Sequence, residues 1–302
     1  GGAFRSSSHF TLHLSSCNLS PHPIGESRSE QRDARTAHPV KKRQVPLFAL
    51  LEFHRRREDA IGANNAKGGS SASGLKWSYT PPMSAFLECG PFTASDGEGR
   101  VLFDGVSFSS GDGQFVALEG PSGGGKSTLL RHIAAVAYSP DALRRLDGER
   151  FSGAQLPMWR ARVSLVAQDA PMIAGTVREN LEFPFCQRAG RERAFDDDRA
   201  AALMTRVRLE QLPFDRDVRT LSGGERHRLA LVRGLLWDPK VMVADEPMAG
   251  LDSDTASVCL DLLVGFGRRT GRLLVCVLHE TEMSARADRR LRLAEGSLRS
   301  VA

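Results

Sequence analysis

The residues best suited to do chemistry stand together at Gly120-Pro121-Ser122-Gly123-Gly124-Gly125-Lys126-Ser127-Thr128. They fit the pattern G-x-x-x-x-G-K-[ST], a glycine-rich loop whose backbone N–H groups cradle phosphates. In that pattern Lys126 brings a point charge to the β- and γ-phosphates, and the Ser127 hydroxyl is a ligand for Mg²⁺. Such a loop needs a strand before it and a helix after it. Gln114-Phe115-Val116-Ala117-Leu118-Glu119 is an apolar run of strand type, and Leu129-Leu130-Arg131-His132-Ile133-Ala134 reads as a helix. That order turns N–H groups and the positive end of a helix toward one point, where an anion binds.

Three further stretches carry polar groups at the ends of predicted elements. Leu221-Ser222-Gly223-Gly224-Glu225 opens a helix that runs from Glu225 to about Trp237, so its first N–H groups also point outward. Val241-Met242-Val243-Ala244-Asp245-Glu246-Pro247 reads as a buried parallel strand with two carboxylates at its C-terminal edge, where open α/β sheets bind ligands. The strands Val163-Ser164-Leu165-Val166 and Leu273-Leu274-Val275-Cys276-Val277-Leu278 are followed by Gln168 and His279. Without their context, Gln168 reads as a surface residue and His279 as a structural or solvent-facing one.

In this order the motifs resemble those of the ATP-binding cassette (ABC) ATPases. The signature LSGG[QE] is matched at 221–225, and Arg226-His227-Arg228-Leu229-Ala230 is similar to the family's R-Q-R-[VL]-A, with His227 in place of the usual Gln. Met248-Ala249-Gly250-Leu251-Asp252 resembles the family's D-loop, with Gly250 for the common Ala. The resemblance implies an α/β fold: a P-loop NTPase cassette with a mainly parallel core sheet, a small antiparallel β subdomain and a helical subdomain at about 169–220. It implies ATP and Mg²⁺ as cofactors, bound by the loop Gly120 to Thr128. Asp245 would hold Mg²⁺ with Ser127 and Gln168, Glu246 would be the general base, and His279 would hydrogen-bond the γ-phosphate. Ser222, Gly223 and Gly224 would bind the γ-phosphate of ATP held by a second subunit. The partners implied are a second copy of this chain and an integral membrane permease, with a cytoplasmic location at the inner face of the membrane. One family feature is absent. An adenine-stacking aromatic would fall near Ser95-Asp96, where there is no ring, and Phe92 reads as part of the first strand.

Charge separates the chain into two parts. The net charge is +5, but residues 1–82 hold 12 basic and 6 acidic residues, leaving 29 and 30 for the rest. The cassette part therefore offers no global field for nucleic acid, and no nucleic-acid partner is expected. Residues 1–82 are rich in Ser, Arg, His and Pro without helical or strand period, and read as a disordered or non-native extension, with the nucleotide-binding domain at 83–302. The five cysteines, Cys17, Cys89, Cys186, Cys259 and Cys276, show no metal-ligand or disulfide spacing. No apolar run is long enough to cross a bilayer.

Residues 86–119 alternate apolar and polar positions, which predicts a small antiparallel sheet. Val177 to Leu181 and Asp198 to Arg208 have helical pattern. Asp196-Asp197-Asp198 reads as the acidic N-terminus of the second helix rather than a metal cluster. Phe183, Pro184 and Phe185 are either anchors for a permease helix or local packing. The surrounding N-L-x-F-P stretch resembles short metal-efflux ATP-binding subunits, so the expected role is an ATPase driving efflux of a metal ion or small solute. The alternatives are nutrient import such as phosphate, or a soluble ABC ATPase of protein or iron–sulfur assembly.

Overall fold

A computed structural model describes residues 85–278 and 281–301. The expectations for residues 1–82 and for His279 lie outside the described residues. In chain order the elements are β1 (Leu87–Ser95), β2 (Val101–Ser110), β3 (Gln114–Glu119), α1 (Lys126–Ile133), β4 (Leu143–Leu146), β5 (Glu149–Arg150), α2 (Leu156–Arg162) and β6 (Val163–Val166). There follow α3 (Val177–Cys186), α4 (Asp197–Arg206), α5 (Gly223–Trp237), β7 (Val241–Asp245), α6 (Ser253–Gly267), β8 (Leu273–Val277), α7 (Thr281–Ser284), β9 (Arg289–Ala294) and β10 (Ser297–Val301).

The main sheet has the order β10-β9-β3-β8-β7-β6, parallel throughout except for the edge strand β10. Its central strands are buried on both faces, so they read as continuous apolar runs rather than alternating ones. The pleat then sorts side chains into two cores. Phe115, Ala117, Met242, Ala244, Leu274 and Cys276 face a core completed by α3, α4, α5 and α6. Val116, Leu118, Val241, Val243, Val275 and Val277 face a second core completed by α1, α2 and the antiparallel sheet. Register puts Leu118, Val277 and Asp245 in one row, so the C-terminal ends of β3, β8 and β7 finish side by side.

The predicted antiparallel sheet exists, with a different membership. Its order is β2-β1-β4-β5. β3, predicted inside it, crosses to the parallel sheet, and β4–β5 joins instead by pairing Leu87 to Leu146 and Gly90 to Leu143. β4 escapes a pattern reading because its inward residue Arg144 is charged. Arg144 is buried and donates to the carbonyls of Ser139 and Ala142.

α1 packs on this sheet through His132, whose ring lies against Phe92 and Phe103 and hydrogen-bonds the Ser139 hydroxyl. Phe92 is thus a buried strand residue, as expected, and its ring is committed to the core. Burial, with the nearby Arg144 charge adding to it, pushes the His132 imidazole down to about 4 from an ordinary 6.5. The folded protein then binds this proton less readily than the unfolded chain. Stability is full above pH 6.5 and falls as pH drops from 6.5 toward 4. Between pH 7 and pH 5 the expected loss is about 2 kcal/mol. Thermal melts over that range should show it, and His132→Gln should flatten the slope. Asp96, Asp217, Asp252, Asp238 and Asp288, whose carboxyls are held low mainly by hydrogen bonds and arginine partners, act only at lower pH.

The C-terminal hairpin backs β3 from its start to the phosphate loop. Phe115 donates its N–H to the Asp288 carboxylate at 2.8 Å, and Asp288 returns its N–H to the Phe115 carbonyl at 2.8 Å. β9 then pairs along β3 as far as Glu119. At Gly120, with φ 147, an added Cβ would stand 2.2 Å from the Leu293 carbonyl oxygen of β9. Only glycine fits there.

Candidate functional site at the strand ends

The phosphate loop turns between β3 and α1 as the sequence requires. Gly125 takes a left-handed conformation, φ 90, at the N-cap of α1. A Cβ there would touch Leu102 and Phe103 of β2 at 3.2 Å. Lys126 is buried at 6% exposure, and its Nζ donates to the carbonyls of Gly120 at 3.0 Å and Pro121 at 2.9 Å. The ammonium is therefore held within the loop that would carry the phosphates. Ser122, Gly123, Gly124 and Thr128 belong to the same turn or to the first turn of the helix.

Asp245 ends β7 beside that loop and is 4% exposed. Burial pushes its carboxyl above the usual range. The Ser127 hydroxyl hydrogen-bonds it and pulls the other way, as do the charges of Arg131 and Lys126, while the Glu246 charge adds to the rise. Its Oδ1 is buried without a hydrogen-bond partner among the described residues. A buried carboxylate oxygen in that condition is costly. A hard divalent cation suits this donor set of carboxylate, hydroxyl and, at the rim, the Gln168 amide.

Glu246 follows with its backbone in the left-handed region, φ 47, at a cost of about 1–3 kcal/mol for a residue that is not glycine. The turn is held by the Ala249 N–H on the Glu246 carbonyl at 3.0 Å. Gln168, exposed just past β6, donates its Nε2 to Glu246 Oε2 at 2.7 Å. Two residues far apart in sequence thus meet because β6 and β7 are neighbours.

The signature helix α5 starts at Gly223, two residues before the expected Glu225. Ser222 is its N-cap, accepting the Glu225 N–H at 3.2 Å, and Glu225 returns its carboxylate to the Ser222 N–H at 2.7 Å. The hydrogen bond from the Ser222 backbone leads in holding the Glu225 carboxyl low. This capping box uses one N–H of the first turn and leaves those of Gly223 and Gly224 directed along the axis. Gly224 lies against Leu251 of the turn between β7 and α6.

These motifs sit in a fold shared with known proteins. Residues 103–249 match the ABC transporter family. The chain is 35% identical over 220 residues to the lipoprotein-releasing system ATP-binding protein LolD 2 of Rhodospirillum rubrum, covering 70% of this chain and 95% of that protein. This chain belongs to the ABC transporter ATPases. This ABC ATPase is also 34% identical over 215 residues to LolD 1 of Caulobacter vibrioides, covering 69% of this chain and 91% of the other. Among solved structures it resembles a dimeric ATP-binding cassette in a post-hydrolysis state with ADP and Pi. There the TM-score is 0.63 at 26% identity, covering 71% of this chain and 97% of that one.

Two stretches read from the sequence take their places here, and the pinning of the loop after Gln168 is new. The acidic run is a cap: Asp196 accepts the Arg199 N–H at the start of α4. Phe185 packs edge-on against Phe195 and Trp237, the local-packing alternative for that residue. The loop after Gln168 is pinned from both sides. Arg233 of α5 donates to the Pro171 carbonyl at 2.8 Å, and the fully buried Asn180 of α3 bonds both the N–H and the carbonyl of Ile173. Cys89, Cys259 and Cys276 are buried free thiols, Cys89 pushed up to about 12 by burial and Cys259 to about 11. Among the described residues no three or more His, Cys, Asp or Glu side chains gather at one point, and no helix is long and apolar enough to cross a membrane.

Proposed function

We propose that this ABC ATPase is the ATP-hydrolysing subunit that drives a separate membrane permease from the inner face of the membrane, working as a homodimer over residues 83–302. The observation that carries the catalytic part is the row of strand ends. It gathers Lys126, Ser127, Asp245, Glu246 and Gln168, with the Gln168–Glu246 contact at 2.7 Å. Residues Gly120 to Thr128 cradle the phosphates and Lys126 neutralises their charge. Ser127, Asp245 and Gln168 would hold Mg²⁺, which when bound supplies charge neutralisation on the phosphate oxygens. Glu246 accepts the proton of the water that attacks the γ-phosphorus, and ADP departs with the electrons of the broken P–O bond. Gln168 holds the Glu246 carboxylate in place. Ser222, Gly223 and Gly224 offer their helix end to the γ-phosphate on the partner subunit. His279, two residues past β8, is proposed as a further γ-phosphate contact.

The named relatives, ATP-binding proteins of lipoprotein-releasing systems, support a lipoprotein cargo over a metal ion. The metal-efflux reading rested on the stretch from Asn180 to Pro184. In that stretch Asn180 and Leu181 are buried and spent on local packing, while Phe183 and Pro184 are partly exposed.

Asp245→Asn tests the core of this reading. The change removes a buried charge whose Oδ1 has no partner. The folded chain should therefore be as stable as the parent or more so, while Mg²⁺-dependent ATP hydrolysis falls at least about 100-fold. Melting temperature and phosphate release, measured on the same preparation, check both halves. Retained hydrolysis would remove Asp245 from the site.

A further inference from the structure

His227 stands where the family's common residue is Gln, and the catalytic scheme above does not use it. Its ring lies on α5, one turn past the signature glycines. Nε2 is 2.6 Å from the backbone carbonyl of Gln168. A carbonyl can only accept, so Nε2 carries a proton and donates. Nδ1 is buried and has no hydrogen-bond partner among the described residues. The ring is therefore oriented by a single bond, and that bond goes to the residue whose side chain holds Glu246 at 2.7 Å.

We propose that His227 is a positioning residue for hydrolysis: it fixes the Gln168 backbone so that the Gln168 amide holds the Glu246 carboxylate. This rests on the proposed base role of Glu246. The surrounding geometry gives the bond its leverage. Val166 ends β6, and the chain then turns through Ala167 to Ala170, where the Ala170 N–H meets the Ala167 carbonyl at 3.1 Å and Ala170 itself has φ 43. Arg233, on the same helix as His227, holds Pro171, and Asn180 holds Ile173. The C-terminal part of the loop is thus secured by two other side chains. At its catalytic end, the bond at Gln168 is, among the described residues, the hydrogen bond that ties the loop to α5. A small displacement of α5 would move the Gln168 carbonyl through His227, and with it the amide on Glu246. The helix whose first turn is proposed to meet the partner's nucleotide would in this way also set the base of its own subunit.

The test compares His227→Phe, which keeps the ring and removes the donor, with His227→Gln, which keeps a donor at similar reach. Both are made in the full chain, alone and with Glu246→Gln. His227→Phe should lower kcat roughly five- to tenfold, the scale of one net hydrogen bond, with KM for ATP and melting temperature little changed. His227→Gln should restore kcat to within about twofold of the parent, on the same reasoning. In the Glu246→Gln background His227→Phe should add no further loss, because the effect runs through Glu246. An unchanged kcat in His227→Phe would overturn the proposal. So would a His227→Gln variant no better than His227→Phe, or a further loss without Glu246. Near-normal turnover in Glu246→Gln alone would instead sink the base assignment, a separate and distinguishable result.

Discussion

Replacing Glu246 by glutamine is expected to leave ATP binding intact and slow hydrolysis by roughly 10²–10⁴-fold, the usual worth of general base catalysis. The substitution is close to a single-atom change at this site. The Gln168 Nε2 that now donates to Glu246 Oε2 at 2.7 Å can donate equally to an amide oxygen. The left-handed backbone at 246 is also already accommodated by its turn. What is lost is the capacity to take a proton. If two subunits close over ATP and reopen on hydrolysis, the variant should accumulate as an ATP-bound dimer. Size-exclusion chromatography with ATP and Mg²⁺ would separate it from the monomer, and single-turnover phosphate release would give the rate. Near-normal turnover would remove Glu246 from the base role.

The second large effect concerns sharing of the site between subunits. Lys126 and Ser222 begin different helices of one chain, α1 and α5. On the proposed reading they face different nucleotides. A Lys126→Ala chain keeps its signature helix, and a Ser222→Arg chain keeps its phosphate loop. Each alone should lose nearly all hydrolysis, at least about 100-fold. Mixed, each heterodimer can assemble one complete site, so activity should return in part. Native mass spectrometry establishes whether heterodimers form. No recovery in a mixture that contains them would show that the two sites must fire together. A protein that is monomeric at all ATP concentrations, with a specific rate independent of its own concentration, would exclude the composite site.

What the sequence made legible was local chemistry at fixed spacing. The phosphate loop, the Ser222 cap and the acids ending β7 each need particular residue types at particular offsets, so each could be read in place. Strand membership is set by pairing across long separations, and there the reading failed. β3 follows the two antiparallel strands along the chain and is read with them, yet its continuous apolar run is buried on both faces and belongs to the parallel sheet. β4 hides behind a buried arginine. The link from His227 to Gln168 joins positions 59 residues apart, and nothing in either local pattern marks it. Phe92 was legible as a strand residue because its neighbours alternate. What contacts the adenine ring was not, since no aromatic stands at the expected place.

The brace behind the phosphate loop has a consequence for how the protein is made. Phe115 and Asp288 exchange hydrogen bonds across 173 positions, and the tight fit at Gly120 is formed by the carbonyl of Leu293. During synthesis the loop leaves the ribosome long before the strand that backs it exists. Its motif is complete early, but its final shape waits for β9, so competence to hold nucleotide should arrive late in translation. A nascent chain stalled before β9 would carry every residue of the phosphate loop and bind ATP poorly.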